Sequence, residues 1–312
     1  MILTNQHCNF LSAFLLSACL CGGLAANQSA ASDPLVEKQW IHGSEDCTTA
    51  TEPAIEVYRY SESSFILRQS KCLSYEAPFM YLLLGDERAL LLDSGATEEA
   101  ADFPLYTTVA GLIGERELIL AHSHGHADHR NGDAQFHDKP GVSVVSTDRK
   151  AVMAYFDFID WPNQSAQIDL GDRLLTVIPA PGHQEESIAV YDPRTEWLLT
   201  GDTIYPGYIY VKDWDAYRDS VNRLQAFAQE NKISALLGAH IEMTKQPGEG
   251  YPVGTSYQPE EAPLPMEVAT LHRLHSALQE QDPREISIGT LVVRPMNPVQ
   301  KSLSNIVRWF SQ

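Results

Sequence analysis

Positive charge is scarce in this chain. Its 312 residues hold 22 Lys and Arg against 41 Asp and Glu, a formal net charge of −19 at pH 7, and none of the 22 precedes Lys38. Such a surface repels phosphate backbones and anionic lipid, so a nucleic-acid partner is not expected; the small-molecule substrate that is expected rests on motifs, not on charge. Long apolar runs are lacking too: beyond residue 26 none approaches the ~20 residues a bilayer-crossing helix needs. No repeat of solenoid period is present, and Ser187 has no glycine elbow around it, which removes it as a serine nucleophile. Cysteine is sparse, five in all. What remains, 44% hydrophobic and 20% charged, is the composition of an ordinary globular protein with ample core.

The chain start reads as a targeting segment. Phe10 to Ala26 is almost wholly small or apolar yet too short to span a bilayer, and Leu24-Ala25-Ala26 supplies a small-residue cleavage site. Leu16-Ser17-Ala18-Cys19 resembles the lipobox of bacterial lipoproteins, whose cysteine is acylated and becomes the new N-terminus. Residues 1–26 are therefore expected to be a signal peptide, with the mature protein either free in the periplasm or held at the outer membrane by lipid on Cys19, its one membrane contact. Residues 27–52, rich in Ser, Ala, Asp and Thr, read as a polar tether, and 53–312 as the folded domain. In an exported chain Cys47 and Cys72 are either one disulfide or two separate buried thiols.

From Ala54 the pattern turns to strands. Ile55 to Tyr60 alternates, Phe65 to Leu67 follows, and the unbroken runs Met80–Leu84, Ala89–Leu92 and Glu117–Ala121 fit strands buried on both faces. A helix is expected from Thr97 to Gly114. The second half repeats the theme, with strands at 142–145, 174–178, 187–191, 197–200 and 233–237 and helices at 148–156 and 217–230. Residues 243–264 read as a long loop, 266–281 as an amphipathic helix and 286–293 as one closing strand. Strands alternating with helices, with a meander in each half, imply an α/β domain with helices outside two sheets.

The chemistry concentrates in His122-Ser123-His124-Gly125-His126-Ala127-Asp128-His129, directly after the strand ending at Ala121. Imidazole and carboxylate are the donors that divalent zinc takes, and closely spaced ligands on a rigid strand end converge at little entropic cost. Further pieces each stand just past a buried strand: Asp93, His183 in Pro181-Gly182-His183, Asp202 in Gly201-Asp202-Thr203, and His240 in Gly238-Ala239-His240. His122 lies outside this pattern and reads as structural, and His272 and His275 as polar residues of a helix.

With these motifs in this order, the chain resembles the metallo-β-lactamase superfamily from about Ala54 to His240. The resemblance implies a four-layer αββα sandwich with two zinc ions per chain at the strand ends. His124, His126 and His183 would bind one ion; Asp128, His129 and His240 the other; Asp202 would bridge them, with Asp93 supporting the site by hydrogen bonds. It implies a metal-bound hydroxide that attacks a carbonyl, with Asp128 orienting it and carrying a proton to the leaving group. Tyr205 stands where several lactone-cleaving relatives place a substrate-contacting tyrosine; packing beside Tyr208 and Tyr210 is the alternative role. Asp202 at the bridging position is similar to the glyoxalase-II, lactonase and thioesterase branches, and points to an ester, thioester or lactone. A secreted β-lactamase and an iron-dependent oxidoreductase on the same fold are the alternatives. Many relatives read Thr-Pro-Gly-Ser after the Gly-His pair, where this chain has Gln184-Glu185-Glu186-Ser187; two acidic side chains there are expected to disfavour an anionic substrate tail.

Overall fold

The structure, a computed structural model, describes residues 34–280, 282–302 and 304. The expected signal peptide and Cys19 lie outside the described residues. Six strands form the first sheet in sequence order: β1 (Ile55–Arg59), β2 (Ser64–Gln69), β3 (Phe79–Leu84), β4 (Arg88–Leu92), β5 (Glu117–Ala121) and β6 (Val142–Val144). The first four pair antiparallel, and β4, β5 and β6 run parallel. Helix α1 (Leu105–Ile113) makes the β4–β5 crossover, while the short α2 (Ala127–Arg130) and then α3 (Arg149–Tyr155) flank β6. A second six-stranded sheet takes β7 (Ala166–Asp169), β8 (Leu174–Pro179), β9 (Ile188–Asp192), β10 (Trp197–Gly201), β12 (Ala235–Gly238) and β13 (Pro265–Met266), in the order 13-12-10-9-8-7. Between β10 and β12 come β11 (Tyr208–Val211) and α4 (Trp214–Glu230); α5 (Val268–Leu278) follows β13. A small third sheet joins β11 to the hairpin of β14 (Ile286–Ile288) and β15 (Leu291–Pro295).

The unbroken apolar runs are explained by burial on two sides. In β3, Phe79, Tyr81 and Leu83 join the core between the sheets, with Leu175, Val177, Val190, Trp197 and Leu199 from across the sandwich. The alternate residues Met80, Leu82 and Leu84 face outward, where Leu105, Val109 and Ile113 of α1 cover them. On the far side Ile178, Ala189 and Leu198 lie under α4 and α5. Period-2 alternation therefore decides which layer a side chain enters, not whether it is buried. The result is the four-layer αββα sandwich.

Three expectations change. The helix foreseen from Thr97 starts only at Leu105, because Pro104 disfavours helical backbone at Phe103 before it and itself stands at the N-cap. The single closing strand is a hairpin, turned at Gly289 with φ +61°. Residues 34–52, read as a tether, lie against the domain: Leu35 and Trp40 are buried, and Glu52 accepts hydrogen bonds from the backbone N–H groups of His42 and Gly43. The two cysteines form a disulfide, Cys47–Cys72.

Candidate metal centre

Five strands deliver their C-terminal ends to one edge of the sandwich, where the sheets meet. Phe79 N–H donates to the Ala239 carbonyl at 2.8 Å, Ile188 N–H to the Ser123 carbonyl at 2.9 Å, and the Tyr81 hydroxyl to the Gly238 carbonyl at 2.5 Å. The loop after β5 carries His124 and His126, and α2 carries Asp128 and His129. Asp202 follows β10, His240 follows β12, Asp93 follows β4, and His183 comes four residues after β8. Glycine is required at one of these ends: Gly201 has φ +50°, and a Cβ on it would stand 2.4 Å from the Ser123 Cβ.

The seven expected ligands gather as two groups, His124, His126, His183 and Asp202, and Asp128, His129 and His240, each with donor atoms within 4.8 Å of one another. In the first, His126 Nδ1 lies 2.9 Å from His124 Nε2 and 3.1 Å from His183 Nε2, and Asp202 Oδ2 lies 3.8 and 3.7 Å from His124 and His183 Nε2. In the second, His129 and His240 Nε2 are 3.2 Å apart and 3.3 and 3.2 Å from Asp128 Oδ2. The other Asp202 oxygen, Oδ1, lies 3.6 and 3.5 Å from those two nitrogens. One carboxylate thus offers an oxygen to each group.

Hydrogen bonds on the outer ring nitrogens set which lone pairs point inward. His183 Nδ1 faces the Tyr210 carbonyl at 2.9 Å, His240 Nδ1 the Glu76 carbonyl at 3.0 Å and His129 Nδ1 the Asp93 carboxylate at 2.9 Å. Those oxygens only accept, so each Nδ1 carries the hydrogen and, in the neutral ring, Nε2 keeps its lone pair. Asp93, itself at φ +71°, also accepts from the backbone N–H and hydroxyl of Ser123 at 2.7 and 2.9 Å. His126 is turned the other way, with Nε2 2.6 Å from Gln184 Nε2, while Gln184 Oε1 is buried without a hydrogen-bond partner. Turning that amide over would let Oε1 accept from His126 Nε2–H and free Nδ1 for a cation.

Electrostatics separates the groups. Burial, then His129, pushes the His124 imidazole well down; burial, then His183, takes His126 to about 3; burial also lowers His183. These three rings stay neutral. At His129 and His240 burial also lowers the pKa but loses to the carboxylates: Asp128, Asp93 and Asp202 raise His129 well up, and Asp202 and Asp128 take His240 to about 9. Burial would raise Asp128 and Asp202, yet the neighbouring imidazoles hold both well below the carboxylate range. Neutral lone pairs about 3 Å apart repel unless a cation lies between them, and Asp202 Oδ1 is buried with no hydrogen-bond partner. Donors around a tetrahedral zinc with bonds of about 2.0–2.1 Å stand about 3.3 Å from one another, within the spread of separations here. The residues fit a metal.

The other sequence-selected residues fall as follows. His122 lies behind the loop, bonded to the Val145 carbonyl and Asp133, and meets neither group. Tyr205 is buried against the His240 ring, and its hydroxyl donates to the Tyr208 carbonyl at 3.0 Å. The acidic pair is split: Glu186 is buried and accepts from Gly125 N–H at 3.0 Å, while Glu185 pairs with Arg149 at the surface. Glu186 thus shapes the histidine loop. A cavity of about 420 Å³ opens over Asp128, Asp202 and His240, walled by Tyr75, Tyr208, Tyr210 and Tyr251 and carrying Lys71, Glu76 and Glu242. No motif in the sequence flagged these wall residues.

The sequence model of the metallo-beta-lactamase superfamily matches residues 76–240, more than half of the chain. A sandwich of two sheets with these side chains at one edge, together with that match, makes this chain a member of the metallo-β-lactamase superfamily. Among curated proteins it is similar to the Acyl-coenzyme A thioesterase MBLAC2 of Gallus gallus, 27% identical over 53% of this chain and 72% of the relative, and to its Homo sapiens counterpart, 27% identical over 44% and 61%. It is 33% identical to a hydroxyacylglutathione hydrolase of Anaeromyxobacter dehalogenans over 41% of this chain and 46% of that protein. The match to the human and bacterial relatives spans less than two thirds of their length. Among solved structures, a metallo-β-lactamase of Erythrobacter litoralis covers 74% of this chain and 99% of its own at 14% identity and a TM-score of 0.52, a likeness of fold. The relatives are named as hydrolases, and this member of the superfamily carries a His/Asp cluster able to bind metal.

Proposed function

We propose that the protein is an exported, dinuclear zinc hydrolase that cleaves an ester, thioester or lactone carbonyl, with thioesters first among the three. The observation that carries the dinuclear reading is Asp202, a buried carboxylate with one oxygen turned to each nitrogen group. His124, His126 and His183 would hold one ion, Asp128, His129 and His240 the other. A pair of zinc ions, when bound, brings the pKa of water close to neutrality and polarises a carbonyl oxygen.

The chain's own residues do the rest. Asp128 reaches the cavity with 22% of its side chain exposed and is kept ionised by His129 and His240. It is placed to take a proton from the attacking water and return it to the leaving group. Tyr205 packs on the His240 ring and donates its hydroxyl to the Tyr208 carbonyl, and it lines the cavity together with Tyr75, Tyr208, Tyr210 and Tyr251, the aromatic wall the substrate meets. Tyrosine walls suit an apolar acyl group. Relatives named for acyl-coenzyme A and hydroxyacylglutathione support a thioester. The Cys47–Cys72 disulfide supports an oxidising compartment.

The test joins metal analysis to a substrate panel. Purified protein is expected to contain two zinc per chain and to hydrolyse acyl thioesters or p-nitrophenyl esters faster than nitrocefin. One equivalent of iron, or activity on nitrocefin alone, would sink this reading. Asp202→Ala is expected to lose kcat/KM by roughly a hundredfold or more together with metal; full activity in that variant removes the bridging role.

A further inference from the structure

The metal-bearing segment lies inside residues 76–240, but much of the cavity wall lies outside it. One wall is the loop of Lys71 and Tyr75, the other the loop of Tyr251 to Gly254 and Gln258. Tyr75 and Val253 are 41% and 88% exposed, which puts them at the mouth.

The N-terminal segment ties both walls together. Towards the second it forms an antiparallel bridge, Gly43 to Tyr257, with Ser44 N–H donating to the Ser256 carbonyl at 3.1 Å and Gln258 N–H to the His42 carbonyl at 2.8 Å. Towards the first it is bonded covalently through Cys47–Cys72, one residue after Lys71. Gly43 sits at the pinch point: a Cβ there would meet the Ser256 carbonyl oxygen at 1.8 Å and the Lys71 Cβ at 2.9 Å, and its φ is +81°. Only glycine allows the three segments to approach this closely.

We propose that residues 42–47 are a strap that fixes the spacing of the two cavity walls and so sets the size of acyl group admitted. This rests on the cavity being the substrate site. Cys47 and Gly43 touch no reacting atom and act through the loops they hold. The physical basis is restriction: beside the Lys71–Glu261 contact, a cross-link and a backbone bridge remove further freedom from the loop between β2 and β3 and the loop between β12 and β13, and selectivity for shape depends on walls that do not yield.

Two variants cut the strap at different ends, Cys47→Ser/Cys72→Ser and Gly43→Ala. Each is compared with the unaltered protein for kcat/KM on p-nitrophenyl acetate, butyrate and octanoate, for bound metal, and for amide hydrogen exchange. The strap predicts that the ratio of long-chain to short-chain kcat/KM shifts by about tenfold in both variants. Metal content and kcat on acetate should hold, and exchange should quicken at 71–76 and 250–258 together. An unchanged ratio, a uniform fall on all three esters, or quickened exchange at one loop alone overturns the proposal. If the unaltered protein hydrolyses no ester or thioester at all, the hydrolase reading falls, and the exchange measurement still decides whether the walls are coupled.

Discussion

Lys71 shows how one residue can cost stability where it stands. Its ammonium is buried; Glu261, which lies 3.5 Å away, is already taken by a bidentate pair with Arg68 at 2.6 Å on both oxygens. Burial, then Arg68, pulls Lys71 down to about 8 against the pull of Glu261. In the unfolded chain its value is 10.5. Below pH 8 both states hold the proton, and Lys71 opposes folding by a constant amount. Between 8 and 10.5 the folded protein has shed a proton that the unfolded chain still binds, so this contribution to stability rises with pH. Lys71→Met is therefore expected to stabilise the protein by up to about 3 kcal/mol at pH 7, an advantage that shrinks towards pH 10. Urea unfolding at pH 7 and 9.5 measures it; an equal difference at both would show that the ammonium is not the cause. The sequence marked Lys71 in no way, since a lysine reads as surface until a fold closes over it.

At the scale of elements, ligand placement depends on how strands end. Gly201 closes β10 with a left-handed turn because Ser123, on the loop after β5, fills the space its side chain would need. Ser123 in turn hydrogen-bonds Asp93, which holds His129. Gly201→Ala is expected to destabilise the fold by about 1–3 kcal/mol and to weaken metal binding through that chain of contacts. Thermal unfolding with and without added zinc checks both; a variant with ordinary stability and metal content would show that the turn tolerates a side chain. Strand existence was legible, because unbroken apolar runs such as Met80–Leu84 leave few other solutions. Where α1 begins, and that β14 and β15 are two strands, turned on Pro104 and Gly289, single residues that outweigh periodicity.

For the molecule as a whole, the two sheets are joined by polar contacts as well as by core. Arg173 is fully buried, pairs with Asp192, and donates to the Ser63 and Leu84 carbonyls of the opposite sheet at 2.6 and 3.0 Å. Arg173→Ala removes the positive charge from the buried Asp192, which keeps only its neutral donors from Arg194 N–H and Thr195, and takes a donor from the Ser63 and Leu84 carbonyls; it is expected to cost about 3–5 kcal/mol, measured by denaturant midpoint. A loss under 1 kcal/mol would mean that solvent reaches the site. Nothing in the sequence pairs Arg173 with Asp192 or with the first sheet, because that meeting exists only once the layers stack.

The amino-acid order by itself determined which imidazoles and carboxylates could gather as metal donors and which strands present them, since such residues after buried runs are a local pattern written in adjacent positions. Only the folded chain decided what surrounds them: which ring nitrogen faces inward, that Glu186 braces a loop rather than the cavity, and that residues once read as a tether grip both its walls. Such arrangements depend on contacts between segments far apart in sequence, and packing, not order, selects those.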